Sequence, residues 1–284
     1  MLQNYKIFWS FHEKLNYFEY LCSQNMDYKI VHIDETDSTN GWLRSFMSKE
    51  FRNLGTVAQN SETRIPLFPD SLDKNSSLVV VAEYQTAGRG CGTNSWESER
   101  GKNLTFSVLI HPAEIPARRQ FHISMAVSLA VCEALGQHIG DLSIKWPNDI
   151  YWRNGKIAGM LIENQLQGDV IKDSIIGIGL NVNQREFKSD APNPVSLWQI
   201  TGQETDCRQL LDDFLRCLGH YLYHDVRQQY LQMLYRRKGF HPYIDKDGAF
   251  MAEMADVEDD GHLVLVDDSG LRRRYAFKEV QFVV

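Results

Sequence analysis

The sequence contains no cysteine or histidine pattern that would hold a structural metal. Its five cysteines include no C-x-x-C pair, and its nine histidines include no H-E-x-x-H motif or other closely spaced ligand set. An odd number of scattered cysteines is typical of a protein that keeps its thiols reduced. The composition therefore predicts a cytoplasmic protein without structural disulfides or zinc.

Long apolar runs and an excess of positive charge are also missing. Glu13, Lys14 and Glu19 interrupt the apolar N-terminal stretch, which argues against a secretory signal, and we find no run typical of a transmembrane helix. The net charge is −7, and the only basic runs are 236–238 and 272–274, which argues against a nucleic-acid-binding face. The 284 residues are enough for one large globular domain and a small one.

The common nucleotide-binding motifs are absent, although the chain carries a glycine-rich loop. Neither G-x-G-x-x-G nor G-x-x-x-x-G-K-[ST] occurs. Instead, an apolar β-branched run leads to Gln85, followed by Gly88, Arg89, Gly90 and Gly92. Glycine lets backbone amides approach a ligand closely, and arginine adds a permanent planar cation. The pattern fits a site for phosphate or carboxylate and equally fits a mobile hairpin, so the loop alone leaves both open.

A second stretch, further along the chain, carries two lysines beside two turns. Pro147 and the pair Asn154-Gly155 are typical of turns between short strands, and Lys145 and Lys156 bracket them. Asp149 lies between the two lysines in sequence. Two ammonium groups and a carboxylate on one hairpin suit a polyphosphate with its metal ion. The alternative is a solvated hairpin with ordinary surface lysines.

The order of the motifs resembles that of biotin protein ligases, over nearly the whole chain from about Tyr28. The motifs that carry the resemblance are Ser38-Thr39-Asn40, Gln85-Thr86-Ala87-Gly88-Arg89-Gly90, Lys145-Trp146-Pro147-Asn148-Asp149, Lys156-Ile157-Ala158-Gly159 and Gly177-Ile178-Gly179-Leu180-Asn181-Val182-Asn183. The resemblance implies an α+β fold, with a class II synthetase-like catalytic domain (a mixed sheet flanked by helices) and a small C-terminal SH3-like β-barrel. It implies an N-terminal extension (1–25), a biotin- and ATP-binding catalytic domain (26–238) and the barrel (239–284).

The resemblance also implies roles for individual side chains. Biotin would be bound by Ser38, Thr39, Asn40, Gln85, Gly88, Arg89, Gly90, Lys156 and Gly159. The nucleotide would contact Cys91, Trp96, Lys145, Asn148 and Asn181, with Mg²⁺ held through the phosphates and no metal ligand assigned to the protein. The catalytic groups would be Arg89, Lys145, Asp149 and Lys156.

The reaction that the resemblance implies has two steps. The carboxylate of biotin attacks the α-phosphate of ATP, giving biotinyl-5′-AMP and pyrophosphate, and a lysine of a biotin carboxyl carrier domain then displaces AMP. Because two anions meet in the first step, cations must offset their repulsion. Arg89 and the Gly90 amide suit the biotin carboxylate. Lys156 suits the oxygen between the acyl and phosphoryl groups, Lys145 the phosphates, and Asp149 the proton of the attacking amine.

Two alternative functions remain beside this interpretation. A lipoate or octanoate ligase of the same superfamily is disfavoured because its R-x-S-G-G motif is missing. A biotin-sensing repressor would use a basic winged helix, whereas the residues before Met26 are few and not basic, so we expect no DNA binding. The predicted partner is the carrier domain of a biotin-dependent carboxylase, and the chain is predicted to be a monomer or a weak homodimer.

The remaining patterns predict further elements of secondary structure. The aromatic residues 1–25 are predicted to form a short helix whose deletion leaves activity nearly intact, and 53–77 a long loop. Ser38 or Thr39 is expected to cap the first helix. The predicted helices are 40–49, 116–138 (buried along one face) and 206–237, and the predicted strands are 28–33, 104–110, 158–162, 174–182, 250–257, 262–266 and 273–283.

The glycine loop departs from the family pattern at one point. After Gly90, biotin protein ligases usually carry a long polar or basic side chain and then a basic residue, whereas this chain has Cys91, Gly92 and Thr93. Cysteine is too short to lie across an acyl-phosphate, and Gly92 adds freedom to the loop. We therefore expect an adenylate that escapes more readily than is usual for the family, with weak labelling of bystander lysines.

Overall fold

A computed structural model describes residues 6–8, 15–22, 26–48, 77–92, 94–189 and 191–283, the first two ranges as backbone alone. The chain forms a nine-stranded sheet and a separate five-stranded sheet. Hydrophobic clusters lie on both faces of the larger sheet, each closed by helices. This arrangement confirms the predicted mixed sheet flanked by helices. Of the predicted loop 53–77, only Ser77 lies within the described residues.

The larger sheet is a mixed sheet of nine strands. Its strands are β1 (Lys6–Phe8), β2 (Leu15–Cys22), β3 (Asp27–Thr36), β4 (Ser77–Gln85), β5 (Leu104–Ile110), β6 (Leu142–Lys145), β7 (Asp149–Trp152), β8 (Gly155–Gln167) and β9 (Val170–Leu180). Their spatial order is β1-β2-β3-β4-β5-β9-β8-β7-β6. Only β3 and β4 are parallel among these neighbours, and the other pairs are antiparallel.

Five α-helices complete the described part of the chain. They are α1 (Thr39–Met47), α2 (Phe121–Gly136), α3 (Leu197–Thr201), α4 (Cys207–Tyr221) and α5 (Arg227–Gln232). Ser38 caps α1, since its hydroxyl oxygen accepts a hydrogen bond from the Gly41 amide at 3.4 Å. α1 covers one face of the sheet through Leu43, which packs with Val31, Val80 and other residues of the strands. The opposite face is covered by α2, α4 and α5.

Two of the helix predictions were wrong in detail, for reasons of tertiary packing. Eleven of the sixteen residues of α2 are buried, so the helix is enclosed rather than buried along one face. The single helix predicted over 206–237 is two helices, α4 and α5, separated by a turn. The turn lets Val226 and Tyr230 both become fully buried, and the ring of Tyr230 meets that of Phe121 edge to face at 5.9 Å. Burial of these side chains outweighs continued helical periodicity.

The short helix predicted within residues 1–25 is wrong where the structure describes them. Lys6–Phe8 and Leu15–Cys22 are the strands β1 and β2, and β2 pairs with β3 along Asp27 to Ile33. The extension therefore continues the catalytic sheet. The sequence pattern of this extension did not distinguish a strand from a helix, because aromatic residues occur in both.

Deletion of residues 1–25 is now expected to destabilise the protein. The truncation would remove the strand paired with β3 and expose to water the edge of β3, a strand in which five of ten residues are buried. We expect the melting temperature to fall by about 5 °C or more, which corresponds to roughly 1–2 kcal/mol. Differential scanning calorimetry of the two forms measures this. An unchanged melting temperature would restore the expectation drawn from the sequence.

The C-terminal region forms an antiparallel sheet with more strands than the sequence predicts. Its strands are β10 (His241–Asp245), β11 (Gly248–Val257), β12 (Leu263–Asp267), β13 (Arg272–Tyr275) and β14 (Gln281–Phe282), in the order β13-β12-β11-β10-β14. The sequence missed β10 and joined β13 to β14. The chain turns between them at Lys278, whose φ is 70°. The domain limits at 238 and 239, and closure of this sheet into a barrel, stay predictions.

The smaller sheet is attached to the larger one beside the hairpin of β6 and β7. The indole N–H of Trp146 donates to the carbonyl of Gly261 at 2.9 Å, and its ring lies 6.4 Å from that of Phe277. Arg227 of α5 donates to both carboxylate oxygens of Asp256, at 2.7 and 2.8 Å. None of the helices described is long and apolar enough to cross a membrane.

Candidate functional site

One cavity of about 370 Å³ lies at the edge where β4, β6, β7 and β8 meet the C-terminal sheet. Five separate sequence segments, together with β14 and the turn before it, contribute to its wall. The residues predicted from the sequence that line it are Ser38, Thr39, Asn40, Gln85, Arg89, Gly90, Cys91, Trp96, Lys145, Asn148, Asp149, Lys156 and Gly159. The structure thus gathers thirteen of the fifteen predicted residues around one space.

A polar network occupies the end of the cavity formed by the start of α1. The Thr39 amide and hydroxyl both donate to the side-chain oxygen of Gln85, at 2.9 and 3.2 Å. The hydroxyl of Ser107, buried on β5, lies 2.7 Å from the Thr39 hydroxyl and 2.6 Å from the Asn40 side-chain oxygen. The Asn40 amide donates to Glu163 at 2.8 Å. These buried bonds fix the donors and acceptors in place before any ligand binds.

Backbone hydrogen bonds across the glycine loop hold it in the form of a hairpin. The Trp96 amide donates to the Gly88 carbonyl at 2.9 Å, and the Gly90 amide donates to the Asn94 carbonyl at 2.7 Å. A Cβ at Gly88 would lie 2.6 Å from the Trp96 carbonyl oxygen, so only glycine fits there. Gly88 is buried within this hairpin and does not line the cavity. Its direct contact with biotin stays a prediction.

The hairpin of β6 and β7, with β8, places a lysine and a carboxylate together. Lys156 Nζ lies 2.7 Å from Asp149 Oδ1, and both side chains are largely buried. The Asn148 amide donates to the Met160 carbonyl at 2.6 Å and lies 3.0 Å from Cys91 Sγ, which ties the hairpin to the glycine loop. Two stretches that are far apart in the sequence therefore form one wall.

The wall of the cavity is strongly electropositive in a chain of negative net charge. Of the charged residues lining it among those described, four are cations and Asp149 is the single carboxylate. The cations are Arg89, Lys145, Lys156 and Lys278. Burial lowers the pKa of Lys145, and the neighbouring charge of Asp149 opposes this shift while Lys156 adds to it. The arrangement suits an anionic ligand with several oxygens.

Cys91 lines the cavity within reach of the charges of Asp149, Lys156 and Lys278. Burial raises the pKa of its thiol, as does Asp149, whereas Lys156, the hydrogen bond from Asn148 and Lys278 lower it. Because burial is the largest of these effects, the thiol stays neutral at neutral pH. Cys91 therefore neither repels a phosphate nor attracts one. The expected ease of adenylate escape stays a prediction.

Asn181 lies outside the cavity, behind the strand that carries Lys156. Its side-chain amide donates to the carbonyls of Val195 at 3.1 Å and Lys156 at 3.4 Å. Its side-chain oxygen is buried without a hydrogen-bond partner among the described residues. The geometry makes Asn181 a support for the position of Lys156, and its contact with a nucleotide stays a prediction.

Sequence reasoning missed two sets of residues that line the cavity. Gly177 and Gly179 of β9 face it, and side chains press on both: the Asn40 amide on Gly177 and the Trp96 ring on Gly179. Their alternate spacing on a strand was a usable signal, because alternate residues share one face. The second set lies on the C-terminal sheet and comprises Phe277, Lys278, Val280, Gln281 and Phe282. Nothing in the local sequence marks these as part of a site.

Comparisons with known proteins agree with this geometry. Residues 56–181 match the model of the biotin/lipoate A/B protein ligase family. The chain is 29% identical over 211 residues to the bifunctional ligase/repressor BirA of Bacillus subtilis, covering 70% of this chain and 64% of that protein. It is 31% identical over 172 residues to the biotin–[acetyl-CoA-carboxylase] ligase of Mycobacterium tuberculosis, covering 58% and 62%. The matches span less than two thirds of either relative.

A solved structure shows the same fold. The biotin protein ligase from Aquifex aeolicus in complex with biotin and ATP superposes with a TM-score of 0.66, covering 89% of this chain and 97% of that one. The identity between the two is 23%, so this likeness concerns the fold alone. Together with the matched sequence motifs, these findings show that the chain contains a biotin/lipoate A/B protein ligase domain, over residues 56–181, and has the biotin protein ligase fold.

Proposed function

We propose that this protein is a biotin–[biotin carboxyl-carrier protein] ligase. The observation that carries the proposal is that one cavity is lined both by a polar network and by a cationic wall. A ligand that is polar at its ring and anionic at its tail, joined to a nucleotide, matches this distribution. The relatives named as biotin ligases support the same substrate.

The polar end would bind the ureido ring of biotin. A ureido group presents N–H donors beside a carbonyl acceptor, and Ser38, Thr39, Asn40 and Gln85 offer hydroxyl and amide groups of both kinds. Because Ser107 and Gln85 already hold Thr39, little ordering is needed on binding. The fixed network would select a ligand that matches its hydrogen bonds.

The cationic end would stabilise formation of the adenylate. An oxygen of the biotin carboxylate forms a bond to the α-phosphorus, and the bond from that phosphorus to the oxygen bridging to the β-phosphate breaks, releasing pyrophosphate. Arg89 would hold the carboxylate, because the Gly90 amide expected beside it already donates to the Asn94 carbonyl, and Lys156 would face the oxygen shared by the acyl and phosphoryl groups. Fixed cations at developing charge supply much of the rate enhancement in such reactions.

Transfer of the biotinyl group would follow at the same place. The amine of an acceptor lysine attacks the acyl carbon, the bond to the phosphate oxygen breaks, and AMP leaves. Asp149 is the one carboxylate among the described residues of the wall, so it would accept the amine proton. Asp149 Oδ1 lies 2.7 Å from Lys156 Nζ, and this contact fixes the carboxylate within the wall.

Mg²⁺ would enter with the triphosphate rather than bind as a resident ion. Asp149 is the sole carboxylate on the described wall and is paired with Lys156, which fits an ion held mainly by phosphate oxygens. Such an ion reduces the charge of the leaving pyrophosphate. We place the reaction in the cytoplasm, which the free thiols of Cys91, Cys132, Cys207 and Cys217 support.

Biotin-dependent exchange of pyrophosphate into ATP tests the proposal. The purified chain is incubated with labelled pyrophosphate, ATP, Mg²⁺ and either biotin, lipoate or octanoate. We expect exchange with biotin, and transfer to a biotin carboxyl carrier domain when one is added. Exchange with lipoate or octanoate but not with biotin would instead favour the other branch of the family. Size-exclusion chromatography with light scattering determines whether the chain is a monomer or a weak homodimer.

As the pH rises, we expect the affinity for ATP to begin to fall at a lower pH than it would if a solvent-exposed lysine bound the phosphate. Burial lowers the pKa of Lys145, so this group loses its proton, and its attraction for phosphate, at a lower pH than a solvent-exposed lysine. The KM for ATP should therefore rise as pH increases through that range. In Lys145→Arg the charge persists, and the alkaline rise should shift to higher pH. Identical pH profiles of the two proteins would remove Lys145 from phosphate binding.

A further inference from the structure

Lys278 is a cation of the cavity that comes from outside the catalytic sheet. It lies on the turn between β13 and β14 and lines the cavity beside Phe277. Its Nζ occupies the place that a Cβ on Gly92 would take, and its Cε lies 3.0 Å from that place. The ammonium group therefore lies directly over the loop that follows Gly90.

The backbone at Lys278 is one that glycine adopts more easily. Its φ of 70° is in the left-handed region, which costs energy for any residue that has a Cβ. Residues held in this region against their preference are concentrated at ligand sites. Glycine would adopt this backbone conformation more easily, so the conformation of the turn does not account for the presence of a lysine.

Lys278 also lacks the counter-ion that its neighbours have. Among the described residues no carboxylate forms an ion pair with it, and its Nζ lies 5.8 Å from the centroid of the Phe277 ring. Arg273 and Arg274 of β13 each bridge two carboxylates. The charge of Lys278 is thus available to a ligand, whereas those of β13 are neutralised within the sheet.

Resting on the proposed function, we propose that Lys278 binds the phosphate of ATP and of the acyl-adenylate, and that it does so across Gly92. The missing side chain at Gly92 leaves room for the lysine, and the lysine supplies a charge where Cys91 and Gly92 carry none. The glycine loop and the C-terminal sheet then cover the phosphate from two sides. Retention of the adenylate depends on this cover.

Replacement of Lys278 by glycine separates its charge from its structural role. Lys278→Gly removes the ammonium group and keeps a residue suited to the positive φ, so the fold should be preserved. We measure binding of ATP and of adenosine by calorimetry. Loss of one charge-assisted contact predicts about tenfold weaker ATP binding, with a smaller difference at high salt. Adenosine, which has no phosphate, should bind both proteins equally. Lys246→Gly, on an exposed turn of the same sheet, is the matched control.

A double-mutant cycle tests the contact with Gly92. Gly92→Ala places a Cβ where Nζ lies, so it should weaken ATP binding in the wild-type background. In the Lys278→Gly background the same change should weaken ATP binding less, because the strain of a Cβ at the positive φ of residue 92 acts in both backgrounds and only the displacement of the lysine is lost. Strictly additive effects would show that Lys278 does not act across Gly92.

Two results of the binding experiment would overturn the proposal. ATP affinity of Lys278→Gly within twofold of wild type would show that the charge does not reach the phosphate. An equal loss of ATP and adenosine binding would show a structural role. A wild-type chain that binds ATP but catalyses no biotin-dependent exchange would contradict the proposed function, and the ATP-to-adenosine comparison would still decide the role of Lys278. In an active enzyme, Lys278→Gly should increase biotinylation of an unrelated lysine-rich protein, and unchanged labelling would contradict its role in retention.

Discussion

Lys156→Ala is expected to lower biotin-dependent pyrophosphate exchange by a factor on the order of 10²–10³, the usual cost of removing one charge-stabilising donor. Lys156 lies at the start of β8, and its Nζ is 2.7 Å from Oδ1 of Asp149 on the short strand β7. Lys145 does not share that position, because its Nζ lies over the rings of Tyr151 and Phe282 at 5.1 and 5.4 Å. Initial rates at saturating biotin and ATP measure the effect.

Two controls separate chemistry from folding in this experiment. Lys172→Ala removes an exposed lysine of β9, which does not line the cavity, and should leave exchange unchanged. The melting temperature of Lys156→Ala shows whether Asp149, left without its partner, destabilises the sheet. Exchange within threefold of wild type, in a folded protein, would exclude Lys156 from the site.

Gly179→Ala is expected to weaken biotin binding roughly 10–100-fold, because overpacking a close contact costs about 1–3 kcal/mol. A Cβ at residue 179 would overlap the indole ring of Trp96, which lies across both Gly159 and Gly179. The ring would then be displaced from the strands into the space that the ligand needs. Calorimetric titration with biotin gives the dissociation constants.

A matched glycine and a second substitution make this result interpretable. Gly136→Ala, at the end of α2, meets no atom within 4 Å and should bind biotin normally. In a Trp96→Ala background the overlap no longer exists, so Gly179→Ala should then have little effect. If Gly179→Ala is equally harmful with and without the Trp96 ring, displacement of that ring is not the cause.

The helix and strand predictions succeeded where the local pattern and the environment agree. Strand β5 has its predicted bounds, Leu104–Ile110, because all seven residues are buried and apolar or small. The first helix begins where a capping serine precedes it. The helix and strand predictions failed where tertiary packing overrides the local sequence pattern. At the break between α4 and α5, for example, the periodicity of the apolar residues does not show that a turn is needed to bring Val226 into the core.

The motifs, together with their resemblance to a known family, predicted an anion site at the central wall. A glycine loop with Arg89, and a hairpin with Lys145, Asp149 and Lys156, predict an anion site because backbone amides and fixed cations are what an anion requires. That prediction depends on residue type and spacing within short segments, both of which are visible in a sequence. The same holds for the polar turn at Ser38, whose hydroxyl caps a helix and also faces the cavity.

Only the tertiary structure decided what closes the cavity and what forms its floor. Lys278 belongs to it because the turn after β13 adopts a left-handed conformation beside Gly92, and a lysine gives no local sign of that backbone. Gly179 belongs to it because Trp96, distant in sequence, lies on β9. Contacts between distant segments arise from how sheets and turns pack together, so they cannot be predicted from the local periodicity of the sequence.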